Sequence, residues 1–366
     1  MADKKPSIAF IGTGIMGAPI AGHILDAGYD VTVYNRTKSK TDDLVARGAH
    51  WAESPAEAAK DADVVFTMVG FPTDVEEIYL AGDGLLQSAK PGAYLIDLTT
   101  SSPELARDIS EAAETMGKHA FDCPVTGGEA GAIAGTLTLI IGATEADVAP
   151  VREVLETFSA KIFCFGGAGK GQAAKLANQV SLAASMVGMA DALSFAQQSD
   201  LDLDLTREMI LGGTGKSGAM EQLAPKSLVG DWKPGFMVKH FLKDIGLALQ
   251  VAEEKEIALP GADTAFTLYD MLEAIGGGEL GTQAVTLLYQ EEAEAVAAGL
   301  DWSKYTAAHE EDDECGCGHD HGHGDHECTC GHDHHHGDDH ECCGGHHHDD
   351  GHECACGHHH DEDHAE

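Results

Sequence analysis

The sequence predicts an α/β protein, a largely parallel sheet covered by helices, followed by an all-helical domain and a tail without a core. Three observations carry this. Short apolar runs alternate with helical stretches over the first 165 residues, helical Ala/Leu spacing then continues with few strand runs to about residue 300, and apolar periodicity stops after Thr306. The expected divisions are 1–165, 166–304 and 305–366.

Ser7-Ile8-Ala9-Phe10-Ile11 is the compact apolar run of a buried strand. It opens into Gly12-Thr13-Gly14-Ile15-Met16-Gly17, a GxGxxG sequence. Residues 18–27 follow as a helix with Ile20, Ile24 and Leu25 toward the sheet, and residues 30–34 as a second strand. In that setting Gly12 permits the tight turn, Gly14 admits a pyrophosphate to the backbone, and Gly17 lets helix and strand pack. Phosphate oxygens would sit on the unpaired N–H groups of the helix start. Gly12, Gly14, Ile15, Met16 and Gly17 are therefore candidate dinucleotide contacts. The second strand runs into Asn35-Arg36-Thr37-Lys38 with no acid at its tip. An acid there would hold the ribose 2′-OH of NAD, whereas a guanidinium suits the 2′-phosphate of NADP. Asn35, Arg36 and Thr37 thus point to NADP, with NAD as the alternative.

Further strands are expected at 62–69, 94–98, 119–123, 137–141 and 161–165, with helices at 54–60 and 103–116 among those between them. Loops at the carboxyl ends of such strands line the ligand crevice. Ser102-Pro103-Glu104 is an ordinary helix start, while Thr99, Thr100 and Ser101 are candidate ligand contacts. Two glycine-rich segments bracket the last strands. Asp122-Cys123-Pro124-Val125-Thr126-Gly127-Gly128 could hold a small carboxylate on backbone amides and a hydroxyl, though a tight loop needs glycines too. Gly166-Gly167-Ala168-Gly169-Lys170-Gly171 leads into a long apolar helix over residues 173–197. Lys175, Asn178 and Gln179 share one face near its start. A desolvated lysine there can exchange a proton with a hydroxyl or carbonyl oxygen.

Competing chemistries are poorly supported. His23, His50, His119 and His240 are the only histidines before the tail and no GxSxG occurs, so a serine hydrolase triad is disfavoured. Gly212-Gly213-Thr214-Gly215-Lys216-Ser217 misses the phosphate-loop spacing and reads as a turn between helices. Residues 236–254, 261–275 and 282–298 are expected helices, with Gly276-Gly277-Gly278 as a loop or cap.

With these motifs assembled, the chain resembles the beta-hydroxyacid dehydrogenase family over roughly residues 6–299. Residues 10–19 resemble its FIGxGxMGxPM signature, with Ile20 where Met is usual. Asp122 through Gly128 with Gly135-Thr136 resembles its DxPVSGG…GT segment, Thr126 replacing Ser. Gly166 through Asn178 resembles GxxGxGxxxKxxN, and Lys243-Asp244 the late KD motif. The resemblance implies an N-terminal Rossmann-type domain, a helical second domain, and a homodimer or homotetramer. It further implies Lys175 as general acid/base, Asn178 orienting a small hydroxy acid or semialdehyde, and Thr126, Gly127 and Gly128 on its carboxylate. Thr100 and Lys243 would lie by the nicotinamide. An imine-reductase-like activity on the same scaffold is less favoured, because the carboxylate loop and Lys175 are both retained.

The formal charge of -40 averages two different segments. From His309 onward lie 18 of the 22 His, 8 of the 10 Cys and 19 of the 62 acids, and no Lys or Arg follows Lys304. The body, at -21, is a poor partner for nucleic acid or anionic membrane. Two body cysteines and no apolar leader suggest a cytoplasmic protein. The tail is expected to be disordered. The unit Glu314-Cys315-Gly316-Cys317-Gly318-His319 recurs, with one residue changed, at Glu327 and Glu353, and a variant, Glu341-Cys342-Cys343-Gly344-Gly345-His346, fills the gap, the starts being 13, 14 and 12 residues apart. Cys315, Cys317, His319, His321, His323, Cys328, Cys330, His332, Cys342, Cys343, His346, Cys354, Cys356 and His358 are its candidate ligands for a soft or borderline ion such as Zn or Ni, which would be non-catalytic. Two functions follow: an NAD(P)-dependent oxidoreductase with a metal-binding appendage, or a metal storage or metal-responsive protein that keeps the nucleotide fold with little turnover.

Overall fold

A computed structural model describes residues 5–290 and 292–304. Six parallel strands form the main sheet in the order β3-β2-β1-β4-β5-β6. They are β1 (Ile8–Ile11), β2 (Val31–Tyr34), β3 (His50–Trp51), β4 (Val64–Thr67), β5 (Tyr94–Asp97) and β6 (His119–Asp122). The chain winds outward from β1 to β3, crosses back, and winds the other way from β4. The crevice between the carboxyl ends of β1 and β4 is therefore the ligand-binding switch point of a Rossmann-type sheet.

The continuous apolar run of β1 follows from burial on both faces. Ile8 and Phe10 belong to one hydrophobic core with Ile20, Ile24 and Phe66, while Ala9 and Ile11 belong to another with Val65, Tyr79 and Leu95. Helix Gly17–Asp26 covers the first face, as its apolar spacing predicts. Pro103–Thr115 starts as expected, with Ser102 Oγ accepting from Glu104 N and Leu105 N.

The expected later strands do not extend this sheet. β7 (Val125–Thr126), β8 (Leu137–Ile141) and β9 (Ser159–Cys164) form a separate three-stranded sheet, with β7 antiparallel to β8 and β9 parallel to it. Pro124, which has no N–H to donate, falls at the joint between β6 and β7.

The second half is built on the 29-residue helix Lys170–Gln198. Its Met186, Met189 and Leu193 pack with Phe241 and Ile245 of helix Val238–Glu254 and with Tyr269 of helix Pro260–Leu272. By length and hydropathy alone the long helix could cross a membrane, but it is the central helix of this core and buries Gln172, Lys175 and Gln179 near its start. The helix expected at 282–298 is broken into a 3-10 segment, Thr282–Tyr289, and a short helix, Glu292–Ala297. Tyr269 Oη donates to the Thr282 carbonyl, and Ser227 and Thr286 hydroxyls to that of Gln283. These are carbonyls that an α-helix would spend on its own ladder. Helix Pro260–Leu272 runs on into a π-helical turn, Glu273–Gly277, which Gly276 kinks at φ +100°.

Candidate active site and cofactor cleft

A cleft of about 700 Å³ runs along the carboxyl ends of β1, β2 and β4 and is closed opposite by residues of the segment 234–244. Gly12, Gly14, Ile15, Met16, Gly17, Asn35, Arg36, Thr37, Thr100 and Lys243 all line it. Gly12 adopts φ +97°, and a Cβ there would stand 2.1 Å from the Met68 carbonyl oxygen. A Cβ at Gly17 would stand 1.9 Å from that of Gly12, so only glycine allows helix and turn to meet. At Gly14 a Cβ would meet nothing within 4 Å, leaving the backbone open to a ligand. Helix Gly17–Asp26 has no side-chain cap and no acid in its first turn. Ala18 N donates to the Gly14 carbonyl at 3.0 Å and Pro19 has no N–H, so the amides open to an anion are those of Ile15, Met16 and Gly17 in the turn that leads into the helix, and this fits a dinucleotide pyrophosphate.

Asn35 also works inside the protein. Its Oδ1 accepts from Thr13 N at 3.1 Å and its Nδ2 donates to the Thr37 carbonyl at 2.9 Å, tying the glycine turn to the tip of β2. Arg36 is 86% exposed and lies 3.5 Å from Asp74 Oδ1, a loose pairing that an incoming phosphate can displace. Lys38 instead places its ammonium 3.7 Å from the centre of the Trp51 ring.

The loop after β5 is partly committed to the fold. Thr99 and Ser101, expected as ligand contacts, are buried. Thr99 Oγ1 accepts from Val69 N, its carbonyl accepts from Gln172 Nε2, and Gln172 Oε1 accepts from Ser101 N. Thr100 alone of the three lines the cleft, and its carbonyl accepts from Lys243 Nζ. Beneath this loop Asp97 is buried. Its Oδ1 accepts from the Thr67 hydroxyl at 2.7 Å and Thr99 N at 3.0 Å. Burial raises the Asp97 carboxyl to about 6, against the pull of these hydrogen bonds and with help from Asp122.

Lys175 is 7% exposed. Burial lowers its ammonium to about 8; Asp244 opposes the shift and Lys243 adds to it. Asp244 is buried, yet it and Lys243 border the cleft. Asp244 Oδ2 accepts from Gln179 Nε2 at 2.7 Å. Lys243 Nζ lies 3.0 Å from Asp244 Oδ1 but off the hydrogen-bonding direction, so that oxygen is paired by charge and left without a hydrogen bond. Asn178 is exposed, one turn along from Lys175, and its Nδ2 donates to Gln179 Oε1 at 2.9 Å. Thr126, Gly127 and Gly128 stand at the end of β7 and the start of helix Gly128–Ala134. They, Lys175 and Asn178 are not among the residues that line the 700 Å³ cleft.

Sequence reasoning read Asp244 only as the companion of Lys243 and gave no part to Gln172 or His240. The ring of His240 lies 5.3 Å from that of Phe71 across the cleft. The tail residues Cys315 through His358 lie outside the described residues.

Two family profiles cover most of this body. The NAD-binding domain of 6-phosphogluconate dehydrogenase matches residues 7–166, and the NAD-binding domain of NADP-dependent 3-hydroxyisobutyrate dehydrogenase matches residues 169–289. The uncharacterized oxidoreductase YkwC of Bacillus subtilis is 43% identical over 78% of this chain and 99% of its own. The chain belongs to the beta-hydroxyacid dehydrogenase family. It is an NAD(P)-dependent oxidoreductase of the 3-hydroxyisobutyrate dehydrogenase-like kind. The Arabidopsis thaliana protein named probable 3-hydroxyisobutyrate dehydrogenase-like 1 is 42% identical over 78% of this chain and 85% of its own. The Mycobacterium tuberculosis 3-hydroxyisobutyrate dehydrogenase, solved with L-serine, superposes with a TM-score of 0.72 at 32% identity, covering 78% of this chain and 99% of that one.

The Asp97 shift sets a stability prediction. The folded protein holds this proton more tightly than the unfolded chain, where the group sits near 3.8. Its contribution to stability is therefore present at low pH and is lost as pH rises from about 4 through about 6. In thermal melts across that window, Asp97→Asn should gain steadily on the wild type, by at most ~3 kcal/mol for a shift of this size. A constant difference between the two melting curves would show that Asp97 does not titrate in this range.

Proposed function

We propose that the protein interconverts a small β-hydroxy acid and its semialdehyde or keto acid, preferring NADP to NAD, with Lys175 as general acid/base. The observation that carries this is a dry ammonium brought down to about 8 beside Asp244 and Lys243, which border the cofactor cleft. The bound nicotinamide supplies the hydride acceptor or donor. The chain's residues supply the rest. Thr126 and the amides of Gly127 and Gly128 hold the substrate carboxylate, Asn178 orients the carbon that bears oxygen, and Lys175 takes the hydroxyl proton as hydride leaves, or returns it in reduction. The profile match to an NADP-dependent dehydrogenase and the exposed Arg36 both favour the phosphorylated cofactor.

Oxidation requires the neutral amine. Its rate should rise with pH through about 8 and then level, whereas reduction, which requires the ammonium, should fall above the same midpoint. Lys175→Ala should cut turnover by roughly 10²-fold or more with NADPH binding retained; wild-type turnover in that variant would remove Lys175 from its role. Arg36→Ala should weaken NADPH by about tenfold or more, the scale of a charge-assisted hydrogen bond, and leave NADH nearly unchanged. Equal losses with both cofactors would remove Arg36 from the choice between them. The screen uses glyoxylate, succinic semialdehyde, tartronate semialdehyde and methylmalonate semialdehyde, with 3-hydroxyisobutyrate in reverse.

The segment 305–366 is a separate metal-binding module. Its support is the fourfold repeat of Cys and His, which an acidic solubilising segment has no need of. Equilibrium dialysis with Zn or Ni should load the full chain at several sites and a chain ending at Thr306 at none of them. Equal loading of the two would end the assignment, and loss of turnover on loading the full chain would make the metal a regulator.

A further inference from the structure

We infer that His23 is a positioning residue: from the helix behind the glycine turn it ties down the far end of helix Gly128–Ala134, and so fixes where the loop Thr126–Gly128 meets the substrate carboxylate. The inference rests on the reading above in which that loop holds the carboxylate.

The loop cannot fix itself. Gly127 and Gly128 take φ +128° and +61°, and neither has a side chain to anchor it. Its direction is set by the helix it opens into. That helix has seven residues, too few to hold on its own ladder, and Ala132 is its one buried residue. It has two supports. Under its first turn lies Leu137, since a Cβ at Gly127 or at Gly131 would stand 3.2 Å from Leu137 Cδ2. At its last turn His23 Nε2 lies 3.1 Å from the Ala132 carbonyl oxygen and 3.0 Å from that of Ile133. Among the described residues these are the only hydrogen bonds the helix receives from a side chain. Both carbonyls only accept, so Nε2 carries a proton and donates to both. The last carbonyls of a helix have no partner in its own ladder, and the ring supplies one. Gly135 leaves the ring its room, because a Cβ there would stand 3.0 Å from it.

The other end of the tie is firm. His23 belongs to helix Gly17–Asp26, whose Ile20 and Ile24 are buried in the core against the main sheet. Losing the tie therefore leaves the cofactor's glycine turn in place and lets the short helix pivot over Leu137, carrying the loop with it. The consequence is a separation of the two ligands: His23 serves the carboxylate and not the cofactor.

The test is steady-state oxidation of 3-hydroxyisobutyrate and of its neutral amide, with NADP affinity and melting temperature measured for each protein. His23→Ala should raise KM for the acid by about tenfold, with kcat and NADP affinity nearly unchanged. The amide, which brings no charge to the loop, should be handled nearly as in the wild type. His23→Gln, whose side-chain N–H can reach the same two carbonyls, should restore most of the KM for the acid. His23→Leu keeps more of the ring's volume and covers the case in which the alanine variant does not fold. Hydrogen exchange reads the joint without any substrate. Gly131 N and Thr136 N, which donate to the Gly127 and Gly131 carbonyls, should lose protection in His23→Ala and keep it in His23→Gln. Unchanged exchange in His23→Ala would overturn the joint. A wild type that prefers the acid, with that preference intact in His23→Ala, would remove His23 and leave the carboxylate loop standing. A wild type that takes acid and amide with equal kcat/KM would overturn the loop itself, and the part of His23 with it.

Discussion

The carboxylate of Asp122 accepts from Gly169 N at 2.8 Å and from Gln172 N at 2.7 Å, which pins the first turn of the long helix to the end of β6. The approach is close enough that a Cβ at Gly142 would stand 2.0 Å from this carboxylate, and one at Gly171 would stand 2.6 Å from the Ile140 carbonyl oxygen. Burial pushes the Asp122 carboxyl up, and the amides of the helix start pull it back. From this anchor the rest of the site is reckoned in helical turns. Gln172 faces the loop after β5 and takes its backbone at Thr99 and Ser101; Lys175 stands one turn further on and Asn178 another.

The two important helix starts are consequently opposite in kind. The one at Gly17 is uncapped and opens to the cleft, so the amides of the turn from Ile15 to Gly17 are available to an outside anion. The one at Lys170 carries an anion of its own and is closed. Polar groups near the second start are expensive to bury unless paired. Gln172, Gln179 and Asp122 all find partners, and among the described residues Ser101 Oγ and Asp244 Oδ1 belong to a set of four buried polar atoms that do not. Of these two only Asp244 borders the cleft, and its Oδ1 is where the fold has kept hydrogen-bonding capacity unspent there.

Much of the first half was legible because burial on both faces of a parallel sheet prints itself as apolar runs, and because Gly12 and Gly17 answer to steric limits that no other residue meets. The ten residues assigned to the cofactor from the sequence all line one cleft. What sequence could not carry was direction. Thr99, Thr100 and Ser101 offer the same hydroxyl chemistry, and only the fold shows that the outer two face inward. Likewise the spacing of Lys175, Asn178 and Gln179 put them on one face, but not that the first and last are buried while the middle is exposed. The pairs that decide these matters are 71 residues apart for Ser101 and Gln172, 65 for Gln179 and Asp244, and 143 for Thr100 and Lys243. No local pattern encodes them. The broken helix at 282–298 has the same origin in part, since Tyr269 and Ser227 from elsewhere in the chain take its Thr282 and Gln283 carbonyls.

The charge of the cleft bears on how an acidic protein holds an anionic cofactor. Arg36, Lys40, Lys239 and Lys243 line it together with Asp74, Glu77, Asp83, Asp244 and Glu279. With cations and carboxylates so nearly matched, the cleft is not a basic patch, and long-range attraction contributes little at physiological ionic strength. The pyrophosphate must then be held chiefly by oriented backbone N–H groups at the uncapped helix start, which act over hydrogen-bonding distance and are not screened in the way that surface charge is. That division explains why the glycine turn is so tightly constrained while Arg36 is left loose. Under the proposed preference for NADP, the turn would do the holding and Arg36 would need only to close on the 2′-phosphate after the cofactor has arrived.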